Sequence, residues 1–126
     1  MGKAPVIAIV DDDEAVRTAT ASLVRSIGYT ARTYASAPDF LRDCATHEPS
    51  CLITDVQMPV MTGVELQQEL VAAGRNLPII FITAFPNEAV RQRVLAAGAF
   101  CFLSKPCDGD TIVRCVEDAI KSASVA

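Results

Sequence analysis

The chain has little that would tie it to a nucleic acid, a membrane or a thiolate metal site. No cluster of Lys or Arg interrupts its 126 residues, whose 11 basic and 15 acidic side chains leave a net charge of −4. The positive footprint that grips a phosphodiester backbone is missing, so direct DNA binding is not expected. No apolar run approaches the ~20 residues of a membrane span. The opening MGKAPVIAIVDDDE ends its short apolar run in acids, without the cleavage pattern of a secretory signal. A cytoplasmic location is the expectation. The five cysteines (Cys44, Cys51, Cys101, Cys107 and Cys115) are odd in number, form no C-x-x-C pair and mostly sit in apolar segments. They suit small core residues better than a redox sensor or metal site, and Cys107, in a loop, is the one to watch. Repeats, linkers and low-complexity tracts are absent, which leaves one domain over residues 1–126 with 51% hydrophobic side chains to build its core.

What is present is an alternation. Five short β-rich runs recur, PVIAIV (5–10), YTARTY (29–34), SCLITD (50–55), LPIIFIT (77–83) and AFCFLS (99–104), each followed by a helical pattern. Val16, Thr20, Leu23, Val24 and Ile27 recur at helical spacing after the first run, and Gly28 supplies the stop. Ser36 is the cap after the second run, and Thr62 with Glu65 has the capping-box form after the third, before a stop at Gly74. Asn87 caps a helix carrying Val90, Val94 and Ala97, and Asp108 or Asp110 starts the last, with Ile112, Val116 and Ile120 inward. The first, third and fourth runs are continuously apolar, as central parallel strands covered on both faces should be, whereas YTARTY alternates like an edge. Five such units predict an open, doubly wound α/β fold with right-handed crossovers.

In such sheets, sites form at the carboxyl ends of the strands. The first run ends in Asp11-Asp12-Asp13, the third in Asp55, the fourth in Thr83 and the fifth in Ser104-Lys105-Pro106. Carboxylates gathered at one edge repel and lose hydration unless a positive charge sits among them, and an all-oxygen set suits Mg²⁺ with waters and phosphate oxygens completing the shell. Lys105 adds a point charge and Thr83 a hydroxyl donor, which together complement a phosphoryl group. A carboxylate can itself attack phosphorus to form an acyl phosphate, so Asp55 is the candidate nucleophile. The single histidine, His47, follows a helix and should sit in solvent near a turn, so the phosphoryl source is another molecule.

IVDDDEAVR, ITDVQMPVMTG, FITA and AGAFCFLSKP, in that order over nearly the whole chain, resemble the receiver domain of two-component response regulators, most of all the nitrogen-fixation (FixJ-like) group. The resemblance implies a flavodoxin-like five-stranded parallel sheet, order 2-1-3-4-5, with five helices, either as a stand-alone receiver or as part of a larger regulator. It implies that Asp55 is phosphorylated by a histidine kinase or histidine phosphotransfer protein. Mg²⁺ would be bound by Asp12 and Asp55 directly, by Asp11 through water and by the Gln57 carbonyl. Thr83 and Lys105 would hold phosphoryl oxygens, Phe102 would be the switch aromatic, and Lys105-Pro106 would be cis. The output would be a downstream protein partner or a homodimer formed through the fourth helix, fifth strand and fifth helix, with Arg91, Arg114 and Glu117 as candidate contacts. Such a chain catalyses its own phosphorylation and slow dephosphorylation but is a switch rather than a turnover enzyme. Two positions depart from the pattern, Cys107 where an aromatic often follows Lys-Pro and Phe85 two residues after Thr83.

Plainer readings stand beside these. Asp13 is better placed as a helix cap than as a ligand, Thr83 could cap a loop, and Phe102, alternating with Phe100, could be core. Gln57 and Phe85 should flank the approach of hydrolytic water, unless Phe85 packs aside against the fourth helix. Among other functions, a haloacid-dehalogenase-type phosphatase would need Thr or Val where Ala15 stands. A degenerate receiver acting as a phosphate-independent binding module would not need the full set of acids, Thr83 and Lys105.

Overall fold

The structure, a computed structural model, describes residues 4–124. Strands and helices alternate as β1 (Val6–Val10), α1 (Glu14–Ser26), β2 (Thr30–Tyr34), α2 (Ala37–Cys44), β3 (Cys51–Asp55), α3 (Gly63–Ala72), β4 (Ile79–Thr83), α4 (Glu88–Ala96), β5 (Cys101–Ser104) and α5 (Gly109–Ser124). The five strands pair in parallel in the order β2-β1-β3-β4-β5, the doubly wound arrangement expected. β3 and β4 are buried along their whole length, while β2, at one edge, is mostly exposed. Each strand starts one or two residues later than its apolar run, for example at Ile79 rather than Leu77 and at Cys101 rather than Ala99.

Side-chain alternation along the strands builds two apolar layers. Ala8, Val10, Leu52 and Phe81 face Phe40 of α2, Leu66 and Leu70 of α3 and Val94 of α4. Ile7, Ile9, Ile53, Ile80 and Ile82 face Ala21 and Val24 of α1 and Val116 and Ala119 of α5.

Local chemistry sets the helix ends. The Asp13 carboxylate accepts the Ala15 and Val16 N–H groups, which makes it the cap of α1. Ser36, Asn87 and Asp108 cap α2, α4 and α5 in the same way, and Thr62 and Glu65 form a complete capping box on α3. Gly28, Gly74 and Gly98 leave their helices with φ of 95°, 74° and 108°, a left-handed region that side chains resist. Ala97 is a correction: it is exposed, because α4 has already ended there and the residue serves as the C-cap. Val94 is the one buried side chain of α4 among the described residues. The buried Gln67 side chain of α3 donates through Nε2 to the Val94 carbonyl at 2.9 Å. On the edge strand β2 the Tyr34 hydroxyl donates to Asp43, and the Tyr34 ring meets Phe40 edge-on at 5.4 Å.

Candidate functional site

The carboxyl ends of β1, β3, β4 and β5 converge as the sequence led us to expect. Asp11 directly follows β1, and its position is fixed three ways: its N–H donates to the Tyr34 carbonyl at 3.2 Å, its carbonyl accepts Arg17 Nη1 at 2.8 Å, and its Oδ1 accepts the Asp13 N–H at 2.9 Å. Asp55 ends β3 and is buried, with Oδ1 accepting the Gln57 N–H at 3.2 Å. Lys105 reaches between them, its Nζ 3.1 Å from Asp11 Oδ2 and 3.0 Å from Asp55 Oδ2. Asp12 is exposed at the rim, and Asp11, Asp12 and Asp55 each offer an oxygen within 4.8 Å of the others.

The electrostatics follow from this packing. Burial pushes the Asp11 carboxyl above its ordinary value, against the opposing pull of the Asp13 N–H and the Lys105 ammonium. Burial alone would lower Lys105, but its hydrogen bonds to Asp55 and Asp11 and their negative charge outweigh that, and the ammonium is held above its usual range. Lys105 is therefore a firmly charged bridge. An acid cluster with one cation among three carboxylates retains excess negative charge and hard oxygen donors, a donor set that fits Mg²⁺.

Thr83 ends β4, almost wholly buried, and its Oγ1 accepts the Phe85 N–H at 3.1 Å while its carbonyl accepts the Lys105 N–H at 2.7 Å. The loop-capping reading of Thr83 is thus correct for its hydroxyl, and the residue also anchors the strand end that presents Lys105. The Lys105-Pro106 peptide is cis. Phe102 is partly buried against the α2–α4 layer, on the opposite side of β5 from Cys101 and Leu103. Phe85 is 69% exposed, and Gln57 is exposed as well. Arg91, Arg114 and Glu117 are all exposed, and Arg91 pairs with Glu88 at 3.1 Å. His47 is exposed beside Asp43, its Nδ1 3.0 Å from that carboxylate.

One contributor escaped sequence reasoning. Gly63, the first residue of α3, donates its N–H to the Val56 carbonyl at 2.7 Å. A Cβ placed on it would lie 2.2 Å from the Asp55 carbonyl oxygen and 3.1 Å from Val56 Cα. Only a glycine lets α3 begin this close to the backbone of Asp55. Its traces in the sequence are its place immediately after the Thr62 cap and at the end of ITDVQMPVMTG.

Sheet order and acid pocket together define a flavodoxin-like domain, and the crystal structure of a response regulator receiver domain protein (CheY-like) from Methanospirillum hungatei shares this fold, with a TM-score of 0.90 over 96% of the chain at 22% identity. The chain belongs to the response regulator receiver domain family, whose model matches residues 7–117. It is 41% identical over 118 residues to the response regulator protein TmoT of Ectopseudomonas mendocina, covering 94% of this chain and 54% of TmoT. It is 34% identical over 112 residues to the transcriptional regulatory protein FixJ of Azorhizobium caulinodans, covering 89% and 53%. The crystal structure of FixJ-N matches with a TM-score of 0.86 at 32% identity, covering 96% of each chain. The chain thus spans about half the length of these curated relatives. Receiver domains of two-component systems are phosphoacceptor switches that work with histidine kinases and downstream effectors, and they bind Mg²⁺ at an acidic pocket. Among the described residues no helix is long and apolar enough to cross a membrane.

Proposed function

We propose that Asp55 is the phosphoacceptor of this receiver and that the donor is a phosphohistidine on a histidine kinase or histidine phosphotransfer protein. The observation that carries this reading is the Lys105 ammonium, 3.0 Å from Asp55 and 3.1 Å from Asp11 at the mouth of an acid pocket. An Asp55 carboxylate oxygen attacks phosphorus, the P–N bond to the donor imidazole breaks, and the imidazole leaves with the bonding pair. Lys105 neutralises charge on the phosphoryl oxygens, and the Gln57 N–H keeps the carboxylate oriented. Asp12 and Asp55 are the direct Mg²⁺ ligands in this reading, with Asp11 acting through water and the Gln57 carbonyl completing the protein donors. When bound, the ion supplies positive charge that offsets the repulsion between carboxylate and phosphoryl oxygens.

The output rests on Thr83 and Phe102. The Thr83 hydroxyl leaves the Phe85 N–H to donate to a phosphoryl oxygen, and the space it vacates admits Phe102. That biases a two-state equilibrium of the α4–β5–α5 face, where Arg91, Arg114 and Glu117 meet a downstream partner or a second copy. Arg91 would exchange its pairing with Glu88 for that contact. The domain acts once per phosphoryl group and loses it slowly, with Gln57 and Phe85 flanking the water's approach. The binding-module alternative finds no support in a pocket whose acids, Lys105 and Thr83 are all in place.

Labelling by acetyl phosphate tests the assignment. Wild type should saturate near one phosphoryl group per chain, and Asp55→Asn should take up none while keeping a cooperative melt. A folded Asp55→Asn protein that labels normally would overturn it.

A further inference from the structure

Four of the five thiols, Cys51, Cys101, Cys107 and Cys115, lie in or against the same apolar layer between the sheet and the α1/α5 face. Two of them touch. Cys101 Sγ on β5 stands 3.0 Å from Cys115 Sγ on α5, about 1 Å longer than a ~2.05 Å disulfide bond. The other two make their own contacts, Cys51 Sγ 4.0 Å from the Leu52 carbonyl and Cys107 Sγ 3.7 Å from the Asp108 carbonyl, although both stand near enough to Cys115 to feel its charge. Cys51 is wholly buried, whereas Cys101 and Cys115 are both partly exposed residues at the margin of this layer.

We propose that Cys101 and Cys115 form a thiol-oxidation site, which a hydroperoxide converts to an intramolecular disulfide joining β5 to α5. The proposal does not depend on the phosphoacceptor reading. Burial, reinforced by the neighbouring Cys115 thiol, pushes the Cys101 thiol up, and the chemistry is the same whichever member of the touching pair is oxidised first. With Cys115 first, its thiolate attacks one peroxide oxygen, the O–O bond breaks, and the departing oxygen takes up a proton to leave as water or an alcohol. This oxidises sulfur to the sulfenic acid. Cys101 then attacks that sulfur, the S–S bond forms, the S–O bond breaks, and the hydroxide leaves as water with the Cys101 proton. Two thiols and one hydroperoxide give one disulfide, one alcohol or water, and one further water. The bridge closes a ring from residue 101 to residue 115 that contains Lys105, so it ties down the segment presenting that ammonium. Phe102, on the other face of β5, remains outside the contact.

The test uses the reduced, desalted chain exposed to hydrogen peroxide, blocked with iodoacetamide and digested with trypsin. Because trypsin does not cut before Pro106, Cys101 and Cys107 share the peptide 94–114, and Cys115 begins the peptide 115–121. A dithiothreitol-reversible cross-link between these peptides, two hydrogens lighter than their sum, is expected, with fragment ions placing it at Cys101. Titration of the denatured protein should show two of the five thiols lost. Cys107→Ser should retain the cross-link and Cys115→Ser should lose it. A bridge through Cys107 or Cys51, sulfinic acid without a bridge, or five thiols surviving exposure would each overturn the proposal. The wild-type fragment ions decide between Cys101 and Cys107 even if a variant folds poorly.

Discussion

Replacing Gly63 by alanine should cost stability and slow labelling of Asp55 together, although nothing at the acid pocket itself is changed. The added Cβ would lie 2.2 Å from the Asp55 carbonyl oxygen, with the Asp55 carbonyl carbon and Val56 Cα both at 3.1 Å. These are backbone atoms, so no rotamer change relieves the overlap. Either the start of α3 or the end of β3 must retreat by about 1 Å, an overpacking cost of about 1–3 kcal/mol or more. Alanine returns at most about 1 kcal/mol through helix propensity, and less at the first helical position. The net loss is therefore about 1–2 kcal/mol, or roughly 4–8 °C in melting temperature for a domain of this size. Gly109→Ala is the control. Its Cβ would meet the Leu23 side chain at 3.3 and 3.7 Å, a flexible neighbour that can give way, so its stability should change by no more than about 0.5 kcal/mol. Urea unfolding of both variants, with acetyl phosphate labelling rates beside it, makes the comparison. A Gly63→Ala protein as stable as Gly109→Ala and labelled at the wild-type rate would show that the close approach of α3 to Asp55 has no energetic consequence.

Three further outcomes are expected. Mg²⁺ should raise the melting temperature of wild type by linkage, following RT ln(1 + [L]/Kd), and Asp12→Ala should lose that response; an unchanged Mg²⁺ shift in the variant places the ion elsewhere. Asp43 is held below its ordinary carboxylate range chiefly by the Tyr34 hydroxyl, with His47 and Arg32 adding to it. A lowered folded-state value means stability that is present above the unfolded value of 3.8 and lost as pH falls through the folded one, so the stability gap between wild type and Tyr34→Phe should narrow below about pH 4; a gap constant from pH 7 to pH 3 refutes the coupling. Phe85→Ala should shorten the lifetime of phosphorylated protein under saturating Mg²⁺ if the aromatic hinders water at the rim, and equal decay rates for wild type, Phe85→Ala and Phe85→Glu exclude that role.

The doubly wound alternation, the two-faced core and the gathering of Asp11, Asp12, Asp55, Thr83 and Lys105 were legible in the sequence because each rests on a periodicity or on a strand end, whereas the strand order 2-1-3-4-5 followed only from the family resemblance. The strand starts were less legible. Pro5, Pro78 and Phe100 extend their apolar runs and each takes part in a single bond to a neighbouring strand, so hydrophobicity outlasts the regular ladder by a residue or two. Asp108 and Asp110 could not be separated as the start of α5 until the Asp108 carboxylate was seen to accept the Thr111 N–H. The Cys101–Cys115 contact had no local signature, and the close approach made at Gly63 showed only as its place after the Thr62 cap at the end of ITDVQMPVMTG. Each depends on how closely two elements approach, which is set by tertiary packing and leaves spacing in the sequence unchanged. Cys107 drew attention as the loop cysteine, while the contact formed between two residues 14 apart on β5 and α5.

The hydrogen bond from Gln67 to the Val94 carbonyl restricts how α4 can move. A helix that turned about its own axis or slid along its length would strip a buried amide of its acceptor, leaving an orphaned polar group at a cost of about 1–3 kcal/mol. Val94 would leave its seat in the core with it. The motions that remain inexpensive pivot α4 about this clasp or carry α3 along as a cargo. Gln67 is thereby a pin set two residues from the C-terminal end of α4: a displacement of this helix becomes tilt, and its N-terminal end sweeps farther than the end that is held.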